Sequence, residues 1–311
     1  MNILVTGGLG FLGRHVCAEL RARGHEVDCV AGYNLTLAHN ASEMFLYRKP
    51  DAVVHLAAKC GGIGANMRRP GEFFRDNILM GVNTIDAAMR AGIGKFVCVG
   101  TICAYPEHTP VPFKETDLWK GYPEPTNGAY GIAKKALLVM LHAYRQQYGF
   151  NGIYLLPVNL FGPGDHFSLN DSHVIPAMIR KFDAAKEKGL PKMVLWGTGT
   201  ASREFLFVKD AAKGIVDALE RYDGPEPVNL GNGQEHTIRD LAEMVKAEIG
   251  YDGDIGWDAS KPDGQPRRCL DTSRAKELFG FEATTPFKVG LRETCTWWLA
   301  NKHRLLLGEQ K

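Results

Sequence analysis

The first thirteen residues confine this chain to a narrow set of folds. Asn2-Ile-Leu-Val-Thr6 is a short apolar run rich in β-formers and reads as a buried strand. It runs directly into Gly7-Gly-Leu-Gly-Phe-Leu-Gly13, and a helical stretch from Arg14 to Arg23 follows. Gly7, Gly10 and Gly13 have the G-x-x-G-x-x-G spacing, a variant of the dinucleotide fingerprint. That turn needs glycine for tightness, for close backbone approach to a pyrophosphate, and for close packing of helix on strand. The free N–H groups and the dipole at the helix start then receive the anion. A Walker A loop is excluded, because no Gly-Lys-Ser/Thr follows. A first strand at residue 2 leaves no room for a signal peptide, so a cytoplasmic location is expected.

Strand and helix signals alternate through about residue 160, as a βαβ architecture requires. Strands are expected at 2–6, 26–30, 52–57, 95–99 and 152–157, and helices at 11–23, 71–91 and 128–148. The fold class is α/β: a doubly wound parallel sheet (Rossmann) with a smaller α/β substrate-binding lobe. Beyond residue 160 the pattern loosens. A helix over 172–188 is entered through Ser172, a strand covers 193–196, and Phe205 to Val208 is another apolar run. Helices at 209–221, 237–249 and 286–301 and a polar loop from Ser260 to Pro266 complete the chain. The expected division is a dinucleotide-binding domain over 1–160, to which 205–234 returns. The second lobe takes 161–204 and 235–285, and 286–311 forms a C-terminal helix.

In doubly wound sheets, ligands sit outside the carboxyl ends of the strands. The glycine loop, the Ala57-Ala58 turn and Thr101 all fall there, with the helix that carries Tyr130. Tyr130 and Lys134 are four apart, so they stack on one helix face. A cation beside a phenol favours the phenolate and lowers a pKa that is otherwise about 10. Thr101 offers a second hydroxyl to the same substrate oxygen.

Composition removes other classes of function. A formal net charge of +2 with interspersed charges gives no nucleic-acid or membrane footprint. No apolar run approaches the roughly 18 residues of a membrane span. The seven cysteines include no C-x-x-C pair, and buried free thiols in a reducing cytosol are expected. The ten histidines show no metal-ligand spacing, so no metal is expected.

With these residues placed, the chain resembles the extended short-chain dehydrogenase/reductases, and within them the GDP-L-fucose synthase family. Lys59-Cys-Gly-Gly-Ile-Gly-Ala-Asn66, Cys103-Ala-Tyr-Pro106, Glu124-Pro-Thr-Asn127 and Ser172-His-Val-Ile-Pro176 carry the resemblance. So do Trp196-Gly-Thr-Gly199, Arg203-Glu-Phe205 and Ser260-Lys-Pro-Asp-Gly264, in the family's order over nearly the whole chain.

The resemblance implies epimerisation at C3 and C5 of GDP-4-keto-6-deoxy-D-mannose, then NADPH reduction of the C4 ketone. A 4-ketone acidifies the protons at C3 and C5, because the carbanion delocalises as an enolate. By resemblance Cys103 is the base and His173 the acid, with Thr101, Tyr130 and Lys134 completing the catalytic set. The cofactor, NADP with NAD left open, is implied against Gly7, Gly10, Phe11, Leu12, Gly13, Asn34, Leu35, Leu56, Ala57, Ala58 and Val99. Tyr130, Lys134, Pro157, Asn159, Leu160 and His173 complete that set. A GDP-linked or other NDP-linked sugar is implied against Asn159, Val174, Arg180, Lys181, Trp196, Arg203, Asp263 and Arg268. A homodimer through helices near 75–91 and 130–148 is implied as well.

The chain departs from the family pattern in three places. Its loop reads Thr6-Gly-Gly-Leu-Gly10, the family's serine is Thr101, and Asp28 to Asn34 carries no arginine for a 2′-phosphate. Two other readings stay open from the residues. One is an epimerase that retains its NAD, as UDP-galactose 4-epimerase does, with no need for a cysteine base. The other is an NAD(P)-sensing module, against which an intact Tyr-Lys pair argues.

Overall fold

The computed structural model describes residues 1–169, 171–261 and 263–309, the last two without their side chains. Pro262, in the expected loop and in the Ser260–Gly264 motif, lies outside the described residues, as do the final two residues of the expected C-terminal segment. The first half runs β1 (Asn2–Thr6), α1 (Phe11–Ala22), β2 (Glu26–Val30), α2 (Ala38–Arg48), β3 (Ala52–His55), α3 (Ile63–Arg68), α4 (Pro70–Arg90), β4 (Lys95–Val99), α5 (Gly128–Tyr148) and β5 (Gly152–Pro157). Then come β6 (Asn159–Phe161), α6 (Val174–Glu187), β7 (Lys192–Trp196), β8 (Ser202–Phe207), α7 (Val208–Arg221) and β9 (Val228–Leu230). The chain ends with β10 (Glu235–Thr237), α8 (Ile238–Ile249), β11 (Asp254–Asp258), β12 (Arg267–Arg268), α9 (Ser273–Phe279) and α10 (Phe287–Glu309).

Six parallel strands form the central sheet in the order β2-β1-β3-β4-β5-β9. β3, β4 and β5 are buried along their whole length, as parallel strands covered on both faces must be. Chain order reverses between β1 and β3, which opens a crevice at their carboxyl ends. The glycine turn sits at its mouth. Gly7 has φ +70°, and a Cβ at Gly13 would lie 2.1 Å from the Gly7 carbonyl oxygen. Any side chain at Gly13 would therefore push α1 off β1.

Two hydrophobic cores flank the seam between sheet and second lobe. β8 serves both: Leu206 belongs to the first, Phe205 and Phe207 to the second. α9 places Ala275 and Phe279 in the first core, whereas α10 places Leu291, Cys295 and Trp298 in the second. The Trp298 indole N–H donates to Asp183 at 2.9 Å, which satisfies the polar edge of a buried ring.

Glu204, on β8, is fully buried. Its carboxylate accepts the backbone N–H groups of Asn232, Gly233 (2.8 Å) and Leu270 (2.7 Å). Burial raises its pKa, opposed by those three donors. One side chain thus ties together β8, the β9–β10 turn and the segment after β12.

The elements differ from expectation mainly in the second lobe. The helix expected from Ser172 begins at Val174, with His173 as N-cap. β11 pairs in parallel with β7, about sixty residues earlier, and α2 was not expected at all. Among the described residues, no helix is long and apolar enough to cross a membrane.

Candidate active site

A cleft of about 750 Å³ follows the carboxyl edge of the sheet and continues beneath the second lobe. Gly7, Gly10, Phe11, Leu12 and Gly13 line one end, with Leu56, Ala57 and Ala58 after β3. Gly10 caps α1 without a side-chain hydrogen bond, leaving first-turn N–H groups directed at the cleft. A Cβ at Gly7 would stand 2.9 Å from Ala57 N, so this cradle accepts backbone only. Its shape and donors suit the pyrophosphate of a dinucleotide.

The middle of the cleft holds Val99, Thr101, Cys103, Tyr130 and Lys134, facing Pro157, Asn159 and Leu160. Gly131 explains how α5 comes so close. A Cβ there would sit 2.2 Å from the Cys103 carbonyl oxygen, so glycine lets the tyrosine helix lie against the turn after β4. Thr101 Oγ1 accepts the Cys103 N–H at 3.2 Å, which fixes that turn and leaves the hydroxyl proton for another acceptor. Asn159 anchors the opposite wall by donating from Nδ2 to the Glu204 carbonyl at 2.9 Å.

Lys134 is buried, and its carbonyl accepts the Tyr154 hydroxyl at 2.8 Å. The expected lowering of the Tyr130 pKa is reversed. Burial, reinforced by the thiols of Cys60 and Cys103, pushes the phenol well above 10. The phenol therefore holds its proton and stands as a donor.

Arg268 Nη1 lies 3.7 Å from Cys103 Sγ, a contact between a guanidinium and the thiol sulfur. The same guanidinium is held by Gln265 Oε1 at 2.8 Å and lies 3.8 Å from Glu124. Burial works to raise the Glu124 pKa, but hydrogen bonds from Thr126 and Asn127 and the charge of Arg268 outweigh it and hold the carboxyl below its usual range. Arg203 is buried beside this group and donates to the carbonyls of Ser202 (2.7 Å) and Asp263 (3.0 Å). Desolvation, then the charge of Arg268, brings its pKa down to about 10.

His173 and Val174 form the far wall. The His173 side chain makes no capping hydrogen bond, so the helix start does not account for it. Burial, then His166, lowers its pKa below 6.5. The outer end carries Lys181, Trp196 and Asp263. The Trp196 ring is exposed and flanked by Lys181 Nζ at 5.6 Å and Lys261 Nζ at 5.7 Å, a cationic platform suited to a nucleotide. Asp263 accepts the Thr198 N–H and hydroxyl at 2.8 Å each.

Three residues of the expected set do not line this cleft. Asn34 accepts hydrogen bonds from Thr36, Leu35 is buried in the first core, and Arg180 donates to the Phe167 carbonyl at 2.9 Å. Asp28 pairs with Arg48 at 3.2 Å in mid-strand, away from the β2 terminus. Other residues reach the cleft without having been singled out: Cys60, Asn66 and Asn127. Cys60 and Asn66 lie within the Lys59–Asn66 motif, which was the available signal.

The NAD dependent epimerase/dehydratase family model matches residues 3–231. A probable GDP-L-fucose synthase 1 of Oryza sativa subsp. japonica is 41% identical, over 96% of this chain and 92% of that protein. GDP-L-fucose synthase 1 of Arabidopsis thaliana is also 41% identical, over 96% and 94%. Among solved structures, a GDP-L-fucose synthetase of Naegleria fowleri bound to NADP superposes with a TM-score of 0.89 at 28% identity, covering 97% of this chain and 95% of that one. The chain belongs to the NAD dependent epimerase/dehydratase family and, within it, to the GDP-L-fucose synthases.

Proposed function

We propose that the protein epimerises C3 and C5 of GDP-4-keto-6-deoxy-D-mannose and reduces its C4 ketone, yielding GDP-L-fucose. One observation carries this reading: an arginine-flanked thiol, Cys103, shares a cleft with His173 and with the Thr101–Tyr130–Lys134 set. A simple reductase or an NAD-retaining epimerase has no use for that thiol.

In this reading the Cys103 sulfur, beside Arg268, takes the proton from C3 or C5. The charge that develops on the C4 oxygen is held by the Thr101 hydroxyl and the Tyr130 phenol. His173 returns a proton to the opposite face. Its lowered pKa makes its conjugate acid a ready donor. NADPH, when bound, would supply the hydride for C4, and Tyr130 would give its retained proton to the C4 oxygen. Gly7, Gly10 and Gly13 would hold the cofactor pyrophosphate and Lys134 its nicotinamide ribose. Trp196, Lys181, Arg203 and Asp263 would hold the nucleotide diphosphate end of the sugar.

The 2′-phosphate of NADPH falls, on this reading, to Arg14. This exposed cation donates from Nε to the Leu9 carbonyl at 2.8 Å, and Ala31 to Asn34 offers no charge. Arg14→Ala is expected to raise KM for NADPH about tenfold, as loss of a charge-assisted bond does. KM for NADH should move little, and equal changes for both cofactors would remove Arg14 from this role.

Incubation with GDP-4-keto-6-deoxymannose and NADPH in deuterated water tests the whole reading. The expected result is NADPH oxidation with deuterium at C3 and C5. Oxidation without deuterium would leave a plain 4-reductase, and exchange without oxidation an epimerase. We also propose a homodimer joined through α4 and α5, which pack on one another and leave Phe74, Leu79, Val139 and Tyr148 exposed. The seven free cysteines fit a cytoplasmic home.

A further inference from the structure

The cleft contains a second thiol that the reaction as written does not use. Cys60 Sγ lies 3.4 Å from the Tyr130 hydroxyl. This placement is built. The Lys59 N–H donates to Asn77 Oδ1 and the Lys59 carbonyl accepts from Asn77 Nδ2, both at 3.0 Å, and Asn77 is itself buried. On the other side, Asn66 Nδ2 donates to the carbonyls of Gly61 (2.9 Å) and Gly62 (3.1 Å). The Gly62 N–H donates across to the Asp171 carbonyl at 2.9 Å. Cys60 is thus clamped from both neighbours, and the Phe73 ring stands edge-on to Tyr130 with centroids 6.4 Å apart.

We infer that Cys60 is a positioning residue for Tyr130, its sulfur holding the phenolic proton in place until the substrate's C4 oxygen arrives. This rests on the proposed reduction at C4. A phenol has one proton and must aim it. Without a nearby acceptor the O–H rotates, and a rotated donor is of no use to a ketone. A sulfur is a weak acceptor, so the bond yields readily to a ketone or enolate oxygen. The groups that bear on the pair come from several elements: Cys103 from the turn after β4, Tyr154 from β5, and Lys134 one turn along α5. Although Cys60 is exposed to the open cleft, the protein packed around it raises the thiol's pKa, opposed by the Tyr130 hydrogen bond.

Two measurements test this, and the first needs no substrate. Alkylation of Cys60 by iodoacetamide is followed across pH, by peptide mass, in the wild type and in Tyr130→Phe. If the phenol donates to Cys60, losing it raises the alkylation midpoint, slowing the reaction about threefold near pH 8 for a half-unit shift. Superimposable curves would overturn the inference. The second compares NADPH oxidation with the keto sugar in Cys60→Ala and Cys60→Ser. Cys60→Ala is expected to lose about three- to tenfold in kcat with little change in KM, and to decline earlier on the alkaline side. Cys60→Ser, which keeps an acceptor, should recover most of that loss. An alkaline limb in Cys60→Ala identical to wild type, or equal loss in both variants, would also overturn it. A raised alkylation midpoint in Tyr130→Phe together with a wild type that ignores the keto sugar would fail the functional reading and leave the thiol–phenol pair standing.

Discussion

Cys103→Ser is expected to lose deuterium exchange at C3 and C5 by about two orders of magnitude or more, the usual worth of a positioned base. A serine hydroxyl ionises far less readily than a thiol, and one guanidinium beside it does not make up the difference. The fold around the site should be indifferent to the change. The hydrogen bond to Thr101 comes from the residue 103 backbone and survives, and the atom replaced is half-exposed in the cleft. NADPH binding should therefore match wild type, and a 4-keto sugar already epimerised at C3 and C5 should still be reduced. Proton NMR of the recovered sugar reads the exchange. Undiminished exchange would remove Cys103 as the base and return attention to an epimerase that works through C4 alone.

The second large effect concerns stability. Glu204→Ala should lower the unfolding free energy by about 3 kcal/mol or more, because removing a buried acceptor strands its partners. Three backbone N–H groups lose their acceptor together, two in the β9–β10 turn and one after β12. Glu204→Gln should recover only part of that loss, since its amide oxygen accepts while its NH2 faces a donor. Urea titration gives the numbers, and a midpoint unchanged from wild type would mean that water replaces the carboxylate. The pH dependence has a definite sign. Burial raises the folded-state pKa of Glu204, so the folded chain binds this proton more tightly than the unfolded one. The carboxyl's contribution is then fullest below about pH 4.5 and declines as pH rises through the folded value. Glu204→Gln should flatten that slope.

Much of the sheet was legible in the sequence, because buried parallel strands leave apolar runs and the glycine turn leaves a fixed spacing. β1, β4 and β5 fall where those signals put them. The second lobe was not, for a physical reason. β6, β9, β10 and β12 have two or three residues each, too few to show a period, and their partners lie far away in the chain. Asp254-Ile-Gly-Trp-Asp258 is a strand only because β7 is beside it. The site divides in the same way. Tyr130 and Lys134 are neighbours along one helix, so spacing was enough to pair them. Cys60 meets Tyr130 across seventy residues, and Arg268 meets Cys103 across more than twice that. The direction of the Tyr130 pKa was misread for the same cause. Lys134 was visible four residues on, but the enclosure that outweighs it comes from other elements.

β8 has a further consequence for how the molecule can come apart. Its successive residues are dealt alternately to two cores, Phe205 and Phe207 to one and Leu206 to the other. Pulling the strand from either side therefore opens both. The second lobe is therefore not expected to fold when excised from the sheet. The two cores are expected to unfold together, in a single transition.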